Sequence, residues 1–208
     1  TNKELSLVID TANGMGGHTC EELQRQIPDN ITLIPLYWEL DGNFPNHEAN
    51  PLNYDTLKTL QETVRKEKAD LGVAIDGDGD RAFFVDEDGD IIPSAITGAL
   101  IAQELIAKGK KKFLFDVRSS KAFQETVEEA GGEAIESRVG HAFIKRRMRE
   151  EKANFGVEVS GHLYHEEMEY CESEIIPIMR MLNLCEKGPI GEQQQKLRTY
   201  VNTPETNF

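Results

Sequence analysis

The densest chemistry in this 208-residue sequence is the hexad Asp76-Gly77-Asp78-Gly79-Asp80-Arg81. Three carboxylates at alternating positions repel one another unless a cation gathers them, and an all-oxygen donor set suits a hard ion such as magnesium or calcium. The intervening glycines let the chain turn tightly enough for the acids to converge. One apolar run, residues 71–75, precedes the hexad and another, residues 82–85, follows it. The acids therefore sit at the end of a buried strand, where open α/β sheets bind their ligands. Buried strands would not ordinarily flank three unneutralised acids.

Two other arrangements share this spacing. An EF-hand loop starting at Asp76 would place Glu87 at its twelfth position. Its sixth position, however, is Arg81 where glycine is required, and both flanks read as strands rather than helices. A haloacid-dehalogenase-like phosphatase loop fits the strand and the first two acids, with Asp76 as nucleophile and Asp78 as general acid. Such a loop usually wants a hydroxyl residue where Asp80 stands. The phosphatase reading stays open.

The elements that must hold these groups alternate between strand and helix, which indicates an α/β fold. Strands are expected at 5–9, 31–36, 71–75 and 82–85, with helices at 18–26 and 57–68. The stretch 41–51 is dense in Asn, Pro and Gly and is expected to be a loop. A second cycle begins with a helix at 94–107, capped by Ser94. Strands at 113–115, 134–137 and 155–159 and helices at 120–130, 140–150 and 175–185 follow. Residues 166–169, with three glutamates, read as a solvated acidic loop. We expect two consecutive three-layer α/β domains, each a mixed β-sheet packed between helices. They would occupy residues 1–91 and 92–199, with 200–208 as a linker.

Composition narrows the partners. Twenty-three Lys and Arg against 37 Asp and Glu give a net charge of −14, which excludes a nucleic-acid or anionic-membrane surface. No apolar run reaches the roughly 18–20 residues of a spanning helix. Cys20, Cys171 and Cys185 are odd in number and lack metal spacing, so they are expected to be free thiols in a reducing, cytoplasmic setting.

Four stretches, in order, resemble the α-D-phosphohexomutases, most closely the phosphomannomutase/phosphoglucomutase branch. The family's metal loop has the form DGDGDR, present whole at 76–81. Residues 8–14, VIDTANG, resemble the opening strand and turn of the family's second domain, and 41–51 the loop leading towards its metal-binding half. Residues 158–162, EVSGH, are similar to the sugar-binding loop of the third domain, preceded by Gly140-His141. No stretch like the Thr-Ala-Ser-His-Asn of the family's first domain occurs in the 208 residues, and the family's fourth, phosphate-binding domain is expected to lie outside them.

The resemblance implies an intramolecular phosphotransferase that interconverts hexose 1-phosphate and hexose 6-phosphate. A phosphoserine on the first domain would donate and recover the phosphoryl group through a bisphosphorylated sugar. Asp76, Asp78 and Asp80 would hold Mg2+, and Arg81 would neutralise the transferring group. Glu158 and Ser160 would bind sugar hydroxyls, with Gly161 leaving room for the ring. His162 and His141 would move protons. Arg118, where the branch has lysine, would assist the base or bind phosphate. The chain is then expected to be the second and third domains alone, inactive without the first and fourth. A non-catalytic sugar-phosphate module using the same loops is the remaining alternative.

Overall fold

A computed structural model describes residues 3–200. The tail expected to be a linker lies, apart from Tyr200, outside the described residues. The first apolar run forms β1 (Leu5–Asp10), leading through a tight turn into α1 (Gly16–Gln26) and then β2 (Ile31–Leu36). The loop 41–51 and a short 3-10 turn at Tyr54–Leu57 precede α2 (Lys58–Glu67) and β3 (Leu71–Ile75). β4 (Ala82–Val85) and β5 (Ile91–Ile92) form a hairpin across the turn at 86–90.

The second cycle runs α3 (Ser94–Ala107), β6 (Lys112–Asp116), α4 (Lys121–Glu129), β7 (Glu133–Ser137) and α5 (His141–Glu151). It closes with β8 (Phe155–Val157), β9 (Leu163–His165), β10 (Cys171–Glu172), α6 (Ile175–Cys185) and α7 (Ile190–Gln195).

The two five-stranded sheets have the same plan. Their orders are β2-β1-β3-β4-β5 and β7-β6-β8-β9-β10, read from matching edges. In each, three parallel strands are followed by two antiparallel ones. The loop after β3 and the loop after β8 are therefore topological counterparts, and both carry the residues singled out from the sequence. The architecture is the expected pair of consecutive α/β domains.

Side-chain alternation explains the layering. From β1, Val8 faces α2 with Leu60 and Val64, while Leu7 and Ile9 face the opposite layer. From β6, Leu114 faces Ile144 and Met148 of α5, while Phe113 and Phe115 face inward. The inward faces of both sheets belong to one continuous core built around α3. This helix is buried at 11 of its 14 positions. An α-helix apolar on all sides has to be enclosed. Ile96, Leu100, Ile101 and Leu105 each contribute roughly 2 kcal/mol of burial. Its one buried acid, Glu104, is paired with Lys108 and with Arg180 of α6.

Several local expectations change. Ser94 does not cap α3: Pro93, with φ −56°, takes the cap position, and Ser94 Oγ instead donates to the Val159 carbonyl. The strand expected at 155–159 ends at Val157, because residues 158–161 close a turn in which Gly161 N–H donates to Glu158 O. The acidic stretch 166–169 is only partly solvated: Glu166 pairs with Lys110, and Glu167 pairs with Arg180. Cys20, Cys171 and Cys185 are free, and burial pushes the Cys20 and Cys185 thiols up to about 12. Among the described residues no helix is long and apolar enough to cross a membrane.

His165 of β9 is 1% exposed, and neither ring nitrogen has a hydrogen-bond partner. Burial pushes its imidazole down to about 4 from 6.5. The unfolded chain then binds a proton that the folded chain refuses, so stability falls as pH drops from 6.5 towards 4. The loss approaches about 3 kcal/mol at the acid end of that window. His165→Leu should flatten this part of the stability curve, measured by urea unfolding between pH 7 and pH 4.

Candidate active site

The carboxylate loop starts where β3 stops. Asp76 is completely buried, and its Oδ1 accepts the backbone N–H groups of Gly79, Asp80 and Arg81 at 3.2, 3.1 and 3.1 Å. Its Oδ2 takes the Nε of Arg81. One side chain thus ties the loop into a ring around itself, with Gly79 in the left-handed region at φ +85°. Burial raises the Asp76 carboxyl above its ordinary value, and the Arg81 pair offsets part of that rise. Asp78 is exposed and Asp80 half-buried. One oxygen from each of the three acids lies within 4.8 Å of the others. An all-carboxylate trio of this size fits a hard divalent cation.

The counterpart loop begins after β8. Glu158 is 2% exposed and accepts three donors. Gly140 N–H reaches its Oε1 at 3.0 Å, and Tyr164 Oη and His162 Nδ1 reach its Oε2 at 2.7 and 3.2 Å. Burial alone would raise this carboxyl, but the bonds from His162, Tyr164 and Gly140 outweigh it and hold it at about 2. Ser160 Oγ lies 2.8 Å from His162 Nδ1. The loop is anchored from below, because Val159 N–H donates to Asp116 at the end of β6 (2.9 Å).

The two loops meet edge to edge. Arg81 and His162 form an isolated antiparallel bridge, and Ala82 N–H donates to Gly161 O at 3.3 Å. His162 Nε2 lies 3.3 Å from Asp80 Oδ2. The imidazole therefore spans from the acid trio to Glu158. Burial pushes its pKa down, but Glu158 and Asp80 more than reverse this, so the net direction is upward.

The other expected residues are placed less centrally. His141 opens α5 at an exposed position, while Gly140 before it is bonded to Glu158. Arg118 is exposed, and its guanidinium pairs with the buried Asp116 at 3.0 Å. Gly161 has a different reason for being glycine than close approach of a sugar ring. A Cβ there would lie 2.2 Å from the Phe83 ring, and φ is +94°. Its space is filled by the first sheet.

Two residues at this site went unassigned in the sequence: Tyr164, which buttresses Glu158, and the strand-end acid Asp116. The strand-end position of Asp76 was the available signal for Asp116. Tyr164 carried none, since its strand spans three residues.

The chain is similar to known proteins over nearly its whole length. Residues 1–89 match the family profile described as phosphoglucomutase/phosphomannomutase, alpha/beta/alpha domain II, and residues 89–206 match domain III. The chain belongs to the phosphoglucomutase/phosphomannomutase family. It is 37% identical to a phosphomannomutase of Methanocaldococcus jannaschii, over 97% of this chain and 45% of that protein. A phosphomannomutase of Vibrio cholerae is 38% identical over 90% of this chain and 41% of its own length. The crystal structure of a family member from Burkholderia thailandensis superposes with a TM-score of 0.87 at 30% identity, covering 96% of this chain and 44% of that one. The chain thus spans less than half the length of the relatives it matches.

Gly161→Ala should cost about 2–4 kcal/mol, since it adds both a clash and a strained backbone. The measurement is chemical denaturation of the 208-residue chain.

Proposed function

We propose that this chain is the metal- and sugar-handling part of a phosphohexomutase, with residues 1–91 and 92–199 as its two units. The observation that carries this is the docking of the two counterpart loops at Arg81 and His162, which sets an acid trio beside a buried, ionised glutamate. A magnesium ion held by Asp76, Asp78 and Asp80 would supply positive charge beside a transferring phosphoryl group. Arg81 adds a permanent cation on the same side. Glu158, its charge fixed by three donors, offers its remaining lone pair to sugar hydroxyls, with Ser160 beside it.

Both ring nitrogens of His162 face acceptors, which favours the imidazolium and supports a role as acid, the Nε2–H turning from Asp80 to a sugar or phosphate oxygen once substrate binds. His141 and Arg118 flank the same strand ends and are proposed to contact the substrate phosphate or hydroxyls. The phosphoryl-carrying serine would be supplied by another part of the polypeptide, so these 208 residues alone would not turn over. A phosphatase reading is disfavoured by Asp76 itself: three amides on Oδ1 and the Arg81 pair on Oδ2 blunt it as a nucleophile, while Oδ2 keeps a lone pair for a cation.

Two measurements test this reading. A full-length polypeptide containing this segment should convert a hexose 1-phosphate to the 6-phosphate only with Mg2+, and His162→Gln should lower kcat about 10²–10⁴-fold. Release of inorganic phosphate by the 208-residue chain would sink the proposal in favour of the phosphatase. Separately, Mg2+ at 100 times its Kd should stabilise the chain by about 2.7 kcal/mol, seen as a rise in Tm. Asp80→Asn should remove most of that rise.

A further inference from the structure

Between Asp76 and Asp78 sits Gly77, and both of its backbone polar groups are held from outside its own loop. Its N–H donates to Ala49 O at 3.1 Å, and its carbonyl accepts from Met15 N–H at 3.0 Å. Packing closes the same vice. Gly14 approaches so closely that a Cβ there would lie 2.7 Å from Gly77 O, while Ala49 and Phe44 lie over the Gly77 Cα. The backbone between the two acids is thereby held by two neighbouring segments, the β1–α1 turn and the loop 41–51.

The loop 41–51 has no regular structure of its own, so something else must fix it. Its tether is a set of bonds to the β1–α1 turn. His47 Nε2 lies 3.2 and 3.1 Å from the two carboxylate oxygens of Asp10, which is 1% exposed. His47 Nδ1 lies 2.9 Å from the Glu48 carbonyl, and the ring meets Tyr37 edge-on at 5.4 Å. Asn46 Nδ2 donates to Asn13 Oδ1 at 2.7 Å, and Asp41 N–H to Asn13 O at 3.0 Å. Ala12 and Asn13 sit at φ +47° and +61°, a conformation that Asp10 supports by accepting the Ala12 N–H. A carbonyl and a carboxylate on either side leave the imidazole to donate at both nitrogens. The Asp10 bond accordingly pushes its pKa up.

The second sheet performs the same task with one residue fewer. There the aspartate that ends the first parallel strand, Asp116, accepts the Arg118 N–H at 2.7 Å and itself holds Val159 in the counterpart loop. In the first sheet, Asp10 closes the equivalent turn but does not touch the ligand loop. His47 fills the gap.

We propose that His47, braced on Asp10, is a positioning residue for the metal loop, clamping Gly77 through the segment 44–49 so that Asp76 and Asp78 converge on one cation. This rests on the metal-binding role proposed for the trio. Residues that orient metal ligands without touching the metal typically change affinity by about 10–100-fold when removed.

The test uses the 208-residue chain, Mn2+ as the probe ion, and amide hydrogen exchange at Gly77 without metal. His47→Ala should weaken Mn2+ binding at least tenfold and speed exchange of the Gly77 amide. His47→Gln, whose amide nitrogen can still reach Asp10, should stay within about threefold of the parent, whereas His47→Asn should not. Met148→Ala, in the outer core of the second sheet, serves as the stability control. It should lower Tm while leaving Gly77 exchange and Mn2+ affinity in place. The inference is overturned if Gly77 exchange in His47→Ala equals the parent's, or if Met148→Ala weakens Mn2+ binding as much. If the parent chain binds no Mn2+ yet His47→Ala still frees Gly77, the metal role fails and the brace stands.

Discussion

Four carboxylates are buried at the C-terminal ends of parallel strands: Asp10, Asp76, Asp116 and Glu158. Removing an ionised acid from water is expensive unless donors replace the water, and here the donors are mostly the backbone amides of the adjoining loops. Asp76 gathers three amides from its own loop, and Asp10 and Asp116 each close a turn two residues on. Glu158 takes its amide from the start of α5. The shapes of the loops follow from this satisfaction problem. Each acid dictates where the chain must go next, and the groups proposed to meet metal and sugar are set by those paths.

Because both sheets use one topology, the solution appears twice. The loop after the third strand carries ligand-type residues in each case, and the aspartate after the first strand lies beside it. The antiparallel bridge between Arg81 and His162 then brings the two copies into contact. That bridge needs Gly161, since Phe83 occupies the space a side chain would need. Phe83 belongs to the first sheet, so the shape of the proposed sugar loop is partly written by residues nearly eighty positions earlier in the chain.

Long apolar runs and glycine-flanked acids were legible in the sequence: β1, β3, β4, α3 and the hexad 76–81 fall where periodicity and turn chemistry place them. The short strands β5, β9 and β10, of two or three residues, give no period to detect. Ser94 misleads for a physical reason. A serine beside a helix start ordinarily caps it, but Pro93 already supplies the cap geometry and frees the hydroxyl for Val159. The partner of Tyr164 was hidden because its three-residue strand shows no period, and that of His47 because an irregular loop folds back onto a turn 37 positions earlier. Residues placed by a regular run and its adjoining turn could be read. Those placed by how a loop folds back could not.

The buried helix α3 has a consequence for how this chain can vary. It serves as the common floor beneath both sheets, so its buried side chains must fit both at once. An adjustment that suits the first sheet is judged again by the second. Halves taken from two different relatives would therefore be mismatched along this one helix before any residue near the carboxylates was altered.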